Sequence, residues 1–598
     1  MRTLGVRGAN LPTKKAKIVK GANFAIAGLI GHFERKYKKA FPVTGMEDLQ
    51  KIFGVRYSPS TYAYDVAESF FANLDGGEGT LYVKSHVGYT GSAFDAVTAS
   101  ALINERKSVA PANALKIEDA YQQELAFGVS GNRTGYTILN GSRFDTAVAV
   151  EGASDVNSLV LDSVIGIKKG DLVKVAIDTP FYRIVTAIDE SEKRVTFDTT
   201  HGSVVAVDTV ISVMGFQLKL WRKDLNGIVN EVESETGKIW CTMSPEVNEF
   251  YVQNVFKSSE YVKVTDMNST ATYFDKFPVD VTTITYLSGG ADGTSPSAVA
   301  HWTPDLLAFD NLPIRMLGNA ETTIYDVNIA GEAYCKARWD NPKWIYNISQ
   351  SQNKSQLITI GHSYQRSDDV LGVIVANWLE ITDPYNNNLL APNRQIPNIG
   401  HVMGAWIRGI LKLGIHWIPA VTSIPLKNVK GVVGDTLLDD RDRTDIASAG
   451  VNVIQYIEGS GYIIRNFFTP STTTEYKFAN GILMRSYMQV SQRDSLLDTE
   501  NEPNSLNRIK DSAMAIYKFY YKLWVNGSTG FVPEGETFGQ FENEDGSATK
   551  FSDHCQIQAD IINNPQANIN EGERNLDSWF TYPTPAGSIR IGVGFMLR

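Results

Sequence analysis

The residues best suited to binding a metal form an acidic run near residue 440. Asp440, Asp442 and Thr444 have the spacing of the first ligands in a calcium-binding loop. Such a loop also needs a glycine at its sixth position and a bidentate acid at its twelfth, where this chain has Asp445 and Val451. We therefore interpret the run as a solvated charged loop and predict no metal site.

Histidine is the next candidate, because its side chain can act as a general base near neutral pH. The eight histidines are scattered, and the segments Gly361-His-Ser363 and His416-Trp417 are the most suggestive. The sequence has no G-x-S-x-G motif that would mark a nucleophile. A triad of distant Ser, His and Asp residues stays open, because triads are recognised by geometry, but no residue is predicted to be catalytic.

Glycine-rich segments can cradle phosphate groups, but neither segment in this chain has the required context. Leu287–Thr294 lacks the lysine of a P-loop. Gly76–Gly79 precedes a predicted strand, whereas a dinucleotide-binding loop follows one. Cys241, Cys335 and Cys555 are far apart, which argues against a zinc cluster and fits folding in a reducing cytoplasm. We predict no cofactor.

Length and composition indicate a large soluble protein. The chain has 598 residues, of which 43% are hydrophobic and 20% charged, and this length suits roughly two to four domains. The net charge of −10 disfavours a general nucleic-acid binder. No stretch approaches the roughly 20 apolar residues that cross a bilayer, so we expect no membrane insertion.

The elements that must position any site change in character along the chain. Phe24–Ile30 and Thr80–Val87 are predicted strands, and Met46–Phe53 and Ser60–Leu74 have helical apolar spacing between them, which is an α/β pattern. The middle is rich in short strands, predicted at 171–177, 181–187, 194–197 and 204–207. Helical spacing returns at Asp369–Trp378, Ile399–Lys412 and Ser505–Val525, with a β-like run at Gln356–Ile360 and a hairpin over 451–464.

The predicted fold class is therefore multidomain α/β and β. A discontinuous α/β core domain is interrupted by a β-rich insertion and followed by an α+β C-terminal domain, with extended arms at both ends. The predicted parts are an N-terminal arm (1–22), the first part of the core (23–105), an inserted β-rich region (106–300) with a small β module at 155–215, the second part of the core (301–480), the C-terminal domain (481–585) and a C-terminal strand arm (586–598).

Both arms carry patterns suited to contacts with other molecules. Residues 1–22 contain no acid and little apolar sequence, so they cannot form a core alone; their basic residues are Arg2, Arg7, Lys14, Lys15, Lys17 and Lys20. Near the other end, alternate apolar residues share one face of an extended strand, namely Ile589, Ile591, Val593, Phe595 and Leu597. Such a strand must pair with a sheet, either in its own chain or in a neighbouring copy.

Dispersed segments of the chain resemble the contractile tail sheath protein family of bacteriophages. The segments are Phe24–Gly31, Pro42-Val43, Phe53-Gly54, Tyr64, Phe70-Phe71, Gly76-Gly77, Leu81–Val83, Leu287–Gly293, Gly414–Ala420, Gly450–Asn452, Gly459–Gly461, Asn563–Pro565, Gly572, Pro583 and the final apolar strand. The chain departs from the family pattern at His416-Trp-Ile418 and at Ile464-Arg-Asn-Phe467, and the module at 155–215 is additional.

The resemblance implies a structural protein without catalytic residues or cofactor. Sheath subunits of this family form stacked hexameric rings around a tail tube, add strands from their arms to sheets of neighbouring subunits, and contract to drive the tube through the host envelope. The implied partners are other copies, the tail tube protein, and the baseplate and tail terminator proteins, in a virion tail assembled in host cytoplasm. The basic and apolar arm residues named above would make the inter-subunit contacts, and the acidic residues between 534 and 545 are a candidate dock for the basic arm.

Two other classes of protein stay open. One is another self-assembling protein, such as the sheath of a bacterial injection machine or a surface-array subunit; neighbouring genes for a tube, baseplate and capsid would separate it from a phage sheath. The other is a multidomain hydrolase with an unrecognised triad, which would lose activity on mutation of one Ser or His.

Overall fold

The computed structural model describes residues 21–90, 93–232, 240–294, 298–348, 353–383, 393–434, 438, 440–497, 504–526 and 551–580.

The protein is mixed α/β with several sheets, as the sequence predicts. Its strands are β1 (Ile26–Gly31), β2 (Phe41–Val43), β3 (Thr80–Ser85), β4 (Tyr89–Thr90), β5 (Ala93–Phe94), β6 (Ser100–Asn104), β7 (Asn113–Tyr121), β8 (Glu124–Leu125), β9 (Thr134–Val150), β10 (Ser158–Leu161), β11 (Leu172–Val175), β12 (Phe181–Asp189), β13 (Arg194–Phe197), β14 (Val210–Lys223), β15 (Val229–Val232), β16 (Trp240–Cys241), β17 (Val262–Asp266), β18 (Val281–Tyr286), β19 (Met316–Asn319), β20 (Lys343–Tyr346), β21 (Gly372–Ala376), β22 (Leu379–Thr382), β23 (Asn393–Ile396), β24 (Gly431–Val432), β25 (Val451–Ile457), β26 (Gly461–Arg465), β27 (Cys555–Gln558) and β28 (Asp577–Phe580). Its helices are α1 (Met46–Phe53), α2 (Ala63–Leu74), α3 (Val252–Val255), α4 (Trp302–Leu307), α5 (Tyr325–Ala337), α6 (Lys354–Tyr364), α7 (Ile399–Leu413), α8 (Asp440–Ser448), α9 (Ala479–Leu496), α10 (Leu506–Asn526), α11 (Phe551–His554) and α12 (Gln566–Asn570).

The central sheet combines strands from two distant parts of the chain. Its order is β2-β3-β1-β19-β20-β21-β25-β26, so the first strands lie beside strands that follow residue 315. The pairs from β3 to β25 are parallel, and the edge strands β2 and β26 are antiparallel to their neighbours. Every residue of β19, β20 and β21 is buried, because helices and loops cover both faces of a parallel sheet.

Helices α2 and α7 pack in the same apolar core as β1 and approach each other very closely. A Cβ atom on Gly400 would lie 1.9 Å from the carbonyl oxygen of Val66, and one on Gly404 would lie 2.5 Å from that of Phe70. Both distances are far below van der Waals contact. Glycine at these two positions is therefore required by the packing of α7 on α2.

The segment between β3 and β19 forms sheets of its own. β9 and β14 pair antiparallel from Ala147↔Val210 to Thr134↔Arg222, which makes a long ribbon. At the outer end of this ribbon, residues 147–213 form a distal module whose core contains Val148, Val195 and Phe197. The nearer part of the ribbon packs in a second core together with β7 and β17.

A buried network of charged side chains joins this inserted region to the central sheet. Arg35, which follows β1, donates from Nη2 to the Ala120 carbonyl at 2.8 Å and lies 3.3 Å from Asp119 Oδ1. Its neighbour Glu34 forms an ion pair with Arg133. Removing one partner of such a buried pair leaves a charge uncompensated, so the network fixes the inserted region on the core.

The C-terminal helices share a core with the sheet. Tyr487 on α9 and Phe519, Tyr520 and Leu523 on α10 belong to the same apolar cluster as Leu29 of β1. β27 and β28 form a small antiparallel sheet with the register Cys555↔Phe580 to Gln558↔Asp577.

Three local predictions are wrong. Gln356–Ile360 lies in helix α6, which starts with a capping box between Asn353 and Gln356. Asp369–Trp378 contains β21, whose complete burial removes the alternation that identifies a strand. Residues 204–207 form only an isolated bridge, from Val205 to Gly152.

Candidate assembly interface

The residues predicted to contact other subunits lie outside the described residues. They are Arg2, Arg7, Lys14, Lys15, Lys17, Ile589, Ile591, Val593, Phe595 and Leu597. The acidic segment 534–545 also lies outside them. The structure does describe residues 21 and 22, at the end of the predicted N-terminal arm, and residues up to 580, which precede the predicted C-terminal arm at 586–598.

The N-terminal departure point lies against helix α9. The backbone amide of Ala22 donates to Ser491 Oγ at 3.0 Å. Phe24 packs edge-on against Tyr487 with ring centroids 5.4 Å apart, and the Arg315 guanidinium lies 5.1 Å from the Phe24 ring. Residues 22–24 are thereby held along one side of α9.

Strand β28, which contains the last residues that the structure describes, lies beside the same turn of α9. Gln492 donates from Nε2 to Ser578 Oγ of β28 at 3.4 Å, and Tyr520 Oη lies 3.0 Å from the same hydroxyl. The Phe580 ring packs against Tyr520 at a centroid distance of 5.8 Å. Adjacent residues of α9, Ser491 and Gln492, therefore contact Ala22 and Ser578 respectively.

An open groove runs beside β28. It has a volume of about 260 Å³ and is lined by Tyr476, Ile482, Arg485, Trp579 and Phe580 among others. Trp579 is 52% exposed although it lies in a strand. Among the residues that the structure describes, β28 pairs with β27 alone, and no strand of those residues lies along its other edge.

The carboxyl edge of the central sheet is the usual ligand site in folds of this type, because strand order reverses there on either side of β1. In this protein that edge holds a buried cluster. Lys84 Nζ donates to Asp305 Oδ1 at 2.6 Å, and His86 Nδ1 is hydrogen-bonded to Asp305 Oδ2. The His86 ring stacks on Trp302 at 3.7 Å, and burial lowers the pKa of His86. Lys84 and His86 thus share the Asp305 carboxylate in a buried cluster, and His86 Nε2 has no hydrogen-bond partner among the described residues.

The N-terminus of α2, where such folds bind anions, holds a carboxylate of the chain itself. Glu321 accepts hydrogen bonds from the backbone amides of Ala63 at 3.0 Å, Tyr62 at 3.2 Å and His32 at 3.0 Å. Burial raises the pKa of Glu321 to about 7, against these three donors, which lower it. Sequence reasoning missed Lys84, His86 and Glu321, although polar residues directly after the buried strands β3 and β19 were the available signal.

The chemical candidates of the sequence are not brought together. His362 is exposed on α6, and burial lowers the pKa of His416 to about 4. The acidic run near 440 is part of helix α8 rather than a loop, and Asp442 and Asp445 both pair with Lys354, at 2.6 and 2.7 Å. In the described parts of the chain, no group of three His, Cys, Asp or Glu side chains could hold a metal ion. All three cysteines are buried, and none of them forms a disulfide.

The helices that the structure describes include none that is long and apolar enough to span a membrane.

Comparisons with known proteins give structural matches alone. No protein-family model matches the chain, and no curated protein matches it. A chain in the contracted sheath complex of the extracellular contractile injection system PVC is 15% identical, with a TM-score of 0.40 over 51% of this chain and 77% of that chain. A sheath tail protein from Listeria innocua is 10% identical, with a TM-score of 0.47 over 94% of this chain and 96% of that one. A chain in the baseplate structure of the anti-feeding prophage is 16% identical, with a TM-score of 0.39 over 52% and 78%. The first two of these neighbours are thus named as parts of a sheath.

Proposed function

We propose that the chain is a structural subunit of a contractile phage tail sheath, which polymerises as stacked hexameric rings around a tail tube. The observation that carries the proposal is that adjacent residues of α9, Ser491 and Gln492, contact Ala22 at the end of the predicted N-terminal arm and Ser578, eight residues before the predicted C-terminal arm. The dispersed sequence segments that resemble sheath proteins support it independently.

Strand addition would supply the links between subunits. β28 offers an unpaired edge, and a two-stranded sheet is marginally stable without further strands. Residues 589–597 carry one apolar face that could complete such a sheet in a neighbouring copy. Four to six backbone hydrogen bonds at roughly 0.5–1.5 kcal/mol each, with burial of the apolar side chains, would make a firm link.

Contraction would then move rigid bodies that stay tied by their arms. The central sheet, α9 and α10 share one apolar core, and the network around Arg35 fixes the inserted region to it. A body of this kind can rotate as a unit while extended segments adjust. The extended sheath would be a kinetically trapped state, and its release would drive the tube through the host envelope.

The proposal includes the tail tube, baseplate and tail terminator proteins as partners, a virion tail assembled in host cytoplasm as the location, and no enzymatic activity. The sheath of another contractile injection system would have the same subunit architecture. A capsid gene beside the gene for this chain would favour the phage sheath, and its absence would favour the injection system.

The decisive experiment examines the purified chain by negative-stain electron microscopy. Full-length protein should form long striated tubes, and removal of residues 1–20 or 586–598 should abolish them while leaving the unfolding midpoint unchanged. A protein that stays monodisperse in all three forms would refute the proposal.

A matched pair of variants tests strand addition by its two-residue periodicity. Ile591→Asp with Val593→Asp places two charges on the apolar face, whereas Gly594→Asp with Met596→Asp places two charges on the opposite face and makes the same change in net charge. The first pair should prevent tube formation and the second should permit it. Equal effects would argue against a paired strand.

A further inference from the structure

We infer that the surface where α2 and α7 end is a docking site for a carboxylate side chain of a second copy of this chain. The inference rests on the proposed function, which brings many copies into contact, and it identifies one contact of that assembly. The site consists of Asp75, Arg408, Lys412 and Lys427, which we call the cationic cluster.

Three cations of the cluster surround one carboxylate oxygen. Lys412 Nζ lies 3.3 Å from Asp75 Oδ2, and Arg408 Nη1 and Lys427 Nζ each lie 3.8 Å from the same atom. Charge-assisted hydrogen bonds to carboxylates are usually about 2.7–2.9 Å long. Asp75 alone therefore holds all three groups loosely.

Arg408 is the clearest sign that a partner belongs here. Its side chain is only 2% exposed, and Nη2 donates to the carbonyl of Pro425. Its Nε and Nη1 atoms are buried and have no hydrogen-bond partner within the part of the chain that the structure describes. Burial lowers the pKa of this guanidinium, with Asp75 acting against the shift. Buried donors are almost always paired in proteins, so Asp75 at 3.8 Å leaves the charge of this guanidinium incompletely compensated.

The charges of the cluster do not balance. Three formal positive charges face one carboxylate, and the C-terminal ends of α2 and α7 add about half a negative charge each. About one positive charge remains, which suits a single carboxylate. Asp75 is 40% exposed and the Lys412 and Lys427 side chains are 51% and 45% exposed, so an external group can reach them.

The cluster is preformed rather than a chance meeting of mobile lysines. The Lys427 backbone amide donates to Asn73 Oδ1 at 2.8 Å, and Asn73 Nδ2 donates back to the Lys427 carbonyl at 3.2 Å. Arg408 and Lys412 are four residues apart on α7, and therefore lie on one face of it. Two helices and one anchored loop thus hold the three cations in place.

The composition of the chain favours a second copy as the source of the carboxylate. The chain has 66 acidic and 56 basic residues, so identical copies repel one another as a whole. A lattice of such copies needs positions where cations of one subunit face carboxylates of the next. The cationic cluster has the excess charge and the unpaired buried donors that this role requires.

The test compares charge reversals by their effect on self-assembly. Lys412→Glu with Lys427→Glu should raise the protein concentration needed for tubes by roughly tenfold or more at about 0.1 M salt, where exposed charges still interact. The control is Lys39→Glu with Lys336→Glu, which makes the same change in net charge. Each of these lysines has its own carboxylate within the chain, Glu124 at 2.6 Å and Asp368 at 2.8 Å. The control should assemble at close to the wild-type concentration.

Each outcome decides between the two proposals. Equal assembly of the cluster variant and the control would overturn the inference and leave the proposed function intact. Failure of the wild-type chain to form tubes would overturn the proposed function, and the inference with it. The unfolding midpoint of each variant shows whether it folds. If the charge-reversal variant does not fold, Lys412→Gln with Lys427→Gln replaces it and should give a smaller loss of assembly in the same direction. No loss of assembly in that variant would overturn the inference.

Discussion

Lys343 donates a 2.6 Å hydrogen bond from Nζ to Ser486 Oγ although its side chain is completely buried. The same nitrogen donates to the Asn341 carbonyl at 2.6 Å. This contact ties the start of β20 to α9, the helix that also contacts Ala22 and Ser578. Burial, assisted by the nearby positive charge of Arg485, lowers the pKa of Lys343 to about 7.

Lys343→Met should therefore raise the free energy of unfolding at pH 7 by about 1–3 kcal/mol, because the apolar replacement removes a charge from the core. Folded wild type loses the Lys343 proton near pH 7, whereas an unfolded lysine keeps its proton until about pH 10.4. The unfolded state binds more protons between these values, so wild type gains stability as the pH rises through this window. Urea unfolding should show that the difference in the free energy of unfolding between the variant and wild type is smaller at pH 9 than at pH 7. Lys510→Met on the exposed side of α10 is the control and should match wild type at both values.

Loss of one buried histidine should reduce acid sensitivity. Burial lowers the pKa of His401 on α7 to about 4. Between pH 6.5 and 4 the unfolded histidine is protonated and the folded one is not, so this group makes stability fall as the pH drops. His401→Leu should remove on the order of 3 kcal/mol of that fall. Asp65 and Glu321, whose pKa values burial raises to about 7, act in the opposite sense in both proteins. Urea unfolding at pH 7 and pH 4.5 gives the change in the free energy of unfolding for each protein. The difference in that change between the variant and wild type is the contribution of His401. The exposed His362→Leu should retain the wild-type slope.

The buried pair at the carboxyl edge of the sheet should show strong coupling. Asp305→Ala leaves the Lys84 ammonium buried without its carboxylate, and should lower the free energy of unfolding by about 3–5 kcal/mol. Asp305→Leu together with Lys84→Met should cost less than Asp305→Ala, because no uncompensated charge remains. A double-mutant cycle that adds the single variants Asp305→Leu and Lys84→Met, measured by denaturant unfolding, gives the coupling energy. A double variant less stable than Asp305→Ala would contradict the ion-pair interpretation.

Two glycines of α7 should respond in opposite directions to the same substitution. Gly400→Ala places a Cβ 1.9 Å from the Val66 carbonyl oxygen and should destabilise the fold by several kcal/mol through forced separation of α2 and α7. Gly409→Ala meets only Pro419 Cα at 3.9 Å and should stabilise it by about 0.5–1 kcal/mol through helix propensity. Thermal unfolding of both variants gives the comparison. A loss at Gly409 equal to that at Gly400 would argue against the close packing of the two helices.

The sequence predicts well those elements whose apolar residues show one period. Met46–Phe53 was predicted as a helix and is α1, and the strands around residues 26 and 80 lie where the apolar runs indicate. Prediction from sequence fails for segments whose secondary structure depends on contacts with distant parts of the chain. The acidic run near 440 is helical because Lys354, from another helix, neutralises Asp442 and Asp445. Segment 372–376 is a strand buried on both faces and therefore shows no alternation.

The contacts of the candidate interface could not be predicted from the sequence for the same reason, because they join residues that are far apart in the chain. The hydrogen bond from Ala22 to Ser491 spans 469 residues of chain, and no local pattern indicates it. The cationic cluster likewise unites the end of α2 with residues more than 330 positions later, as the Lys412–Asp75 separation of 337 residues shows. The arms themselves were identified only from their composition and alternation.

The pairing of Ala147 with Val210 brings the two chain connections of the distal module side by side. Its two chain crossings are neighbours on the ribbon, about one strand spacing of ~4.8 Å apart, and it has an interior of its own. A foreign domain grafted in its place by genetic fusion would need adjacent termini, and it would remove the contacts that the module makes beyond the ribbon, such as Tyr182 with Phe274 and Asp198 with Tyr273. In an assembly of the proposed kind, every subunit would carry one copy of the grafted domain.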